Sequence, residues 1–192
     1  MAKRVFFSFH YQDVIDFRAN VVRQCWVTKS DRETAGYFDA SLWESSRREG
    51  KESLKRLINS GLNGTSFTSV LIGSDTYSRP WVRYEIFKSL EKGNGLHGLH
   101  INLIPCKNRQ TKVSGPNPFD YLAVKFNDKG DRVDLCEWDE QKWIWYKDVS
   151  GWILPQPQLH NAGQLKQLST WYPTYCWVGD NGYQNFSAWI GK

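Results

Sequence analysis

Four short apolar runs, at residues 4–9, 37–39, 68–72 and 99–104, recur about every 32 residues with a helix-like pattern in each gap, which is the rhythm of right-handed βαβ units. The first run holds Val5, Phe6, Phe7 and Phe9 with little alternation, as expected of a strand buried on both faces of a parallel sheet. Asp13 is placed to cap one continuous helix in which Val14, Phe17, Val21 and Val22 recur at helical spacing up to the polar stretch 28–33. Residues 40–50 read as a polar loop carrying Leu42 and Trp43. An amphipathic helix follows, with Leu54, Leu57, Ile58 and Leu62 on one face and a stop at 61–64. Pro80 suits the first turn of a further helix with a core stripe of Val82, Ile86 and Leu90, ended by Gly93 and Gly95. The expected architecture is an open, doubly wound α/β sheet.

Beyond Gly115-Pro116-Asn117-Pro118 the texture changes. Residues 125–148 predict a three-stranded antiparallel meander with turns at 127–130 and 139–142. A helix around 159–169 and an aromatic tail from Trp171 to Trp189 complete the chain. The division expected is an α/β core at 1–122 and an extension at 123–192 packed on it as one structural unit. A chain of 192 residues can bury such a core without metals or disulfides. Ten Trp, nine Tyr and ten Phe make it unusually aromatic. Trp138, Trp143, Trp145, Trp152, Trp171, Trp177 and Trp189 are read as cross-strand and core packing, with a stacking platform or a self-association surface as the alternatives.

Several function classes have little support. Cys25, Cys106, Cys136 and Cys176 form no C-x-x-C pair, so reduced thiols are expected rather than a zinc or redox motif. The apolar start is too short for a signal peptide, and no run approaches the roughly 18 apolar residues of a membrane span. A cytoplasmic protein with no membrane partner is expected. Net charge is +5, and its densest stretch, Arg47, Arg48, Lys51, Lys55 and Arg56, leads into an amphipathic helix. It reads as a solvated helix face rather than a nucleic-acid surface. Residues 93–98 fit G-x-G-x-x-G but end a helix and precede a strand, the reverse of a dinucleotide fingerprint. His97 and His100 flank the fourth strand without further ligands, so structural roles are expected and no metal site. A phospho-receiver would want an acidic pair after the first strand, where this chain has Ser8 and His10.

Open α/β sheets bind ligands outside the carboxyl ends of their strands. Here those positions hold Ser8, Phe9 and His10, then Asp39, then Ser74, Asp75 and Thr76. The next helix adds Trp81 and Glu85, four apart and therefore on one face. An aromatic plate beside a carboxylate suits cleavage of an N-glycosidic bond to a cationic base. The base leaves neutral, and the carboxylate stabilises the positive charge that builds on the ribose. Spacing alone leaves a second reading open, with Glu85 as an exposed helix residue near Lys88 and Trp81 as core.

These residues also resemble a known family. The segment Ser74-Asp75-Thr76-Tyr77-Ser78-Arg79-Pro80-Trp81-Val82-Arg83-Tyr84-Glu85 looks like the part of TIR domains that runs from the third strand into the helix bearing the catalytic glutamate. Val5-Phe6-Phe7-Ser8-Phe9 looks like the TIR first strand. The opening through Asp16, the Trp-Val-Arg-Tyr-Glu segment and residues 115–122 resemble most closely the TIR-like proteins of the bacterial Thoeris anti-phage system. The resemblance implies a flavodoxin-like TIR fold with Glu85 as catalytic residue. It implies NAD+ as substrate with no cofactor, and a cyclic or modified ADP-ribose that activates a separate effector. A phage-derived trigger and self-assembly through TIR contacts are also implied. Ser8, Phe9 and His10 match the nucleotide-lining loop, and 39–43 match the start of the loop after the second strand, here with Trp43 and no tip proline. The substrate-binding candidates are accordingly Ser8, Phe9, His10, Asp39, Trp43, Ser74, Thr76, Trp81 and Tyr84. The rival is a non-catalytic TIR adaptor acting by protein–protein assembly.

Overall fold

The structure is a computed structural model and describes residues 3–28, 32–35 and 40–190. Strand β1 (Lys3–Phe9) pairs in parallel with β2 (Arg32–Ala35) on one side and with β3 (Phe67–Ile72) on the other. Next to β3 lies β4 (Gly95–His100), and the sheet ends in a fifth parallel strand, β10 (Thr174–Cys176). The order β2-β1-β3-β4-β10 is the flavodoxin-like arrangement expected, and its chain reversal lies between β1 and β3. Phe6 packs into one core and Phe7 into the other, because successive strand residues point to opposite faces.

Helices α1 (Tyr11–Ile15), α2 (Arg18–Val27) and α6 (Gly182–Ile190) are C-terminal to strand β1 or to β10 in the chain. Ala19, Val22 and Trp26 of α2 and Phe186 and Trp189 of α6 share the Phe7 core. The opposite face carries α4 (Lys51–Leu62) and α5 (Pro80–Glu91), through Ile58, Leu62, Val82 and Ile86. That same core continues into a second, antiparallel sheet of β5 (Leu122–Phe126), β6 (Arg132–Asp139), β7 (Lys142–Trp145) and β9 (Leu165–Gln167), with β8 (Trp152–Ile153) on β6. Arg83 of α5 reaches Glu137 of β6 at 2.7 Å. Helix α5 therefore lies between the two sheets, and its polar side chains are held from both directions.

Several elements differ from the sequence expectations. The first helix is two: Phe17 takes a left-handed φ of 66° and breaks it. Arg18, almost fully buried, donates to the carbonyls of Ile104 and Gln110, and Asp16 pairs with Arg18 and Lys112. These long-range bonds turn the chain where helical periodicity alone runs straight on. Asp13 caps nothing; it is buried inside α1, against Gly73, where a Cβ would come within 2.3 Å of its Oδ2. The second strand lies at 32–35, and 36–39 fall outside the described residues. The expected loop at 40–50 is α3 (Ala40–Glu49), whose Ala, Leu, Glu and Arg are good helix formers. Strand β4 begins four residues earlier than expected, so His97 and His100 lie within it. The expected helix at 159–169 is replaced by two short turns around β9, which completes the edge of β5. The fifth parallel strand was not legible at all. It docks because Gly98 leaves room for Thr174, whose Cγ2 would sit 2.3 Å from a Cβ there.

Candidate active site

Ser8 and Phe6 are two residues apart on β1 and share the face that α5 covers. Ser8 is fully buried and its Oγ donates to Glu85 Oε2 at 2.5 Å, a bond across 77 residues of chain. Glu85 lines a cavity of about 370 Å³ at the carboxyl end of β1, the side of the sheet on which an arrangement of this order is expected to bind its ligand. Phe9, His10, Tyr11 and Gln12 line it from the chain that leaves β1. Arg79, Pro80, Trp81 and Val82 line it from the start of α5, and Trp43 and Arg47 from α3. Trp81 and Glu85 share one face of α5, as their spacing requires.

Burial pushes the Glu85 carboxyl up to about 8, and the hydrogen bond from Ser8 works in the opposite direction. The group is thus an acid at neutral pH, one that a nearby positive charge would ionise. His10 is held below its ordinary value, first by burial and then by Arg79, with Lys112 adding to this and Asp75 opposing it. A neutral imidazole results at neutral pH. Such a site offers a tunable carboxyl, an indole face and two guanidinium groups around one space. That combination can hold an anionic ligand and stabilise a cationic centre formed on it.

A family model described as "Thoeris protein ThsB, TIR-like domain" matches residues 6–104, which span β1 to the turns after β4 and every residue lining the cavity. A protein of Bacillus cereus (strain MSX-D12), "Putative cyclic ADP-D-ribose synthase ThsB1", is 54% identical over 191 residues, covering 99% of this chain and all of that protein. The chain belongs to the Thoeris ThsB family. The ThsB match over the full length carries the antiparallel sheet and α6 along with the TIR-like part.

Within this ThsB fold the sequence candidates separate into groups. Phe9, His10, Trp43, Trp81 and Glu85 converge on the cavity, and Ser8 lies beneath it bonded to Glu85. Ser74, Thr76 and Tyr84 do not line it. Ser74 donates to the Val113 carbonyl, and buried Thr76 accepts from Gly73 N, closing the turn after β3. Tyr84 sits on another side of α5, buried and donating to Asn59 Oδ1 of α4. Asp39 lies outside the described residues. Tyr11, Gln12, Arg47 and Arg79 line the cavity and were not anticipated. Arg47 lies four residues after Trp43, and it is the helical conformation of 40–49, in place of the expected loop, that puts the two on one face. His97 takes a structural role. It is buried with Nε2 2.8 Å from Ser69 Oγ, surrounded by Phe67, Tyr175, Phe186 and Trp189, and burial pushes it down to about 3. Among the described residues no three His, Cys, Asp or Glu side chains are grouped to hold a metal. The cysteines are free thiols. No described helix is long and apolar enough to cross a membrane.

Proposed function

We propose that this protein cleaves the nicotinamide–ribose bond of NAD+ and closes the ADP-ribose into a cyclic product, a messenger in anti-phage defence. The observation that carries the reading is Glu85: a buried carboxyl, bonded to Ser8 and flanked by Trp81, lining a cavity at the carboxyl end of β1. The name of the Bacillus cereus relative, a cyclic ADP-D-ribose synthase, agrees with this chemistry. Nicotinamide departs as a neutral base, taking the electron pair of the glycosidic bond, and the ribose is left as an oxocarbenium ion. Glu85 in its ionised form stabilises that ion. The cationic ring of NAD+ favours the ionised form, with the Ser8 hydroxyl assisting. Trp81 offers its face to the nicotinamide ring while that ring is charged, an attraction of roughly 0.5–2 kcal/mol. A nucleophile in the ADP half of the same molecule then attacks the anomeric carbon and loses its proton to water.

The cyclic nucleotide reaches a separate effector by diffusion, and a phage-derived signal together with self-association through TIR contacts starts the reaction. A protein that worked only by assembly would have no use for a desolvated carboxyl beside an indole in a cavity wall. The test is to extract nucleotides from phage-infected bacteria carrying the wild type or Glu85→Gln. Loss of NAD+ and appearance of a cyclic ADP-ribose by mass spectrometry in the wild type alone is the expected result. Equal NAD+ loss in both strains sinks the mechanism, and linear ADP-ribose as the sole product sinks cyclisation.

A further inference from the structure

The cavity has a second tryptophan-and-charge face that the cleavage chemistry leaves without a task. On α3, Trp43 and Arg47 are four apart and both line the cavity, repeating the spacing of Trp81 and Glu85 with the opposite charge. Arg79, in the turn that opens α5, lines it as well. Among the described residues neither guanidinium has a tight ion pair. The Arg47 guanidinium has no hydrogen-bond or ion-pair partner among the described residues. The Asp75 carboxylate is 3.9 Å from Arg79 Nη2, with both side chains substantially exposed, so that pair is weak. The Arg79 Nε is shielded from solvent and has no acceptor among the described residues, and a donor in that condition costs free energy until an acceptor reaches it.

We propose that Arg47 and Arg79 bind the diphosphate of the dinucleotide, with Trp43 against its adenine end. The α3 face then holds the ADP half while the α5 face holds the nicotinamide riboside half. This assignment rests on the NAD+ reading of the cavity. Guanidinium groups suit it because their forked N–H donors match phosphate oxygens bidentately, which a lysine cannot do. Two positive charges among the residues that line the cavity are also the electrostatic complement of a dianion. The consequence reaches the second half of the reaction. Once nicotinamide has left, cyclisation competes with water only while the ADP half is held against the anomeric carbon, and that restraint is what the two arginines supply.

The test is calorimetric titration of the full-length protein with ADP-ribose and, separately, with nicotinamide riboside, which has no phosphate. The wild type, Arg47→Ala, Arg79→Ala, Arg79→Lys and Glu85→Gln are compared after thermal melts establish that each is folded. ADP-ribose affinity falls about tenfold or more in Arg47→Ala and Arg79→Ala. Nicotinamide riboside binding stays as in wild type in both arginine variants. In the turnover assay Arg47→Ala shifts product from cyclic to linear ADP-ribose. Wild-type ADP-ribose affinity in Arg47→Ala overturns the proposal, as does a wild type that fails to bind ADP-ribose. A Glu85→Gln protein that still cleaves NAD+ would sink the catalytic role of Glu85, while an arginine-dependent ADP-ribose affinity in the same protein would still support the diphosphate site.

Discussion

Helices α3 and α5 each place a tryptophan four residues before a charged side chain, and both pairs face one cavity, but their charged groups sit in opposite environments. Glu85 is 5% exposed, with Ser8 beneath it and a sheet on either side of its helix. Arg47 is exposed on a helix whose last turn also carries Arg48. The same spacing thus yields a buried carboxyl that favours its protonated form, and an exposed guanidinium in contact with water. Desolvation, which spacing does not encode, separates the two.

The comparison breaks most decisively at Glu85. Glu85→Gln is expected to lower nicotinamide release by about 10³-fold, the scale of losing one preorganised electrostatic group, measured as initial rate on NAD+. On the proposed mechanism wild-type kcat/KM is expected to rise with pH toward about 8, because the free enzyme has to lose the Glu85 proton before it acts. A flat profile from pH 6 to 9 would show that this ionisation is not required.

The same substitution should stabilise the fold. The carboxyl's folded value of about 8 lies above its ordinary 4.5, so the protonated acid is the form the fold prefers. That contribution is fully present below about 4.5 and is lost as pH rises through about 8. Glu85→Gln never ionises and is expected to be more stable than wild type by up to about 3 kcal/mol at pH 7, with little difference at pH 4. Chemical denaturation at the two pH values reads this directly; a gain that does not grow with pH would contradict the buried-acid assignment.

Ser8→Ala sharpens the comparison further. Removing the hydroxyl that favours the ionised carboxyl moves Glu85 still higher. Activity at pH 7 should fall about tenfold, with part of it recovered at pH 9; a uniform loss at all pH values would assign Ser8 to packing instead. The smallest effect is expected at α3: Trp43→Ala should raise KM for NAD+ a few-fold with kcat nearly unchanged, as for a group that binds ground state and transition state alike. A fall in kcat alone would place Trp43 with Trp81 in the chemical step.

Most of the architecture was legible because buried strands and amphipathic helices leave periodic signatures. Residues 4–9 and 68–72 coincide with β1 and β3 to within one residue, α4 and α5 carry the expected apolar stripes, and the meander has its turns where Asn127–Gly130 and Asp139–Lys142 put them. What escaped has a common cause. Phe17 breaks a periodic helix because Arg18 is drawn to carbonyls some 90 residues away. β9 and β10 are three-residue strands with no pattern of their own, formed because an edge of an existing sheet lay open beside them. The tryptophans divide likewise: Trp177, and Trp189 within α6, are buried in the Phe7 core, whereas Trp145 and Trp171 are exposed.

For the site, the sequence by itself determined that Trp81 and Glu85 share a helix face and that Phe9 and His10 follow a buried strand, since both are consequences of local periodicity. Only the tertiary structure decided that Ser8 meets Glu85, that burial holds this carboxyl as an acid, and that α3 turns Arg47 toward the same cavity. Hydrogen bonding across 77 residues and removal from water are properties of the packed chain. Neither is present in any local window of the sequence.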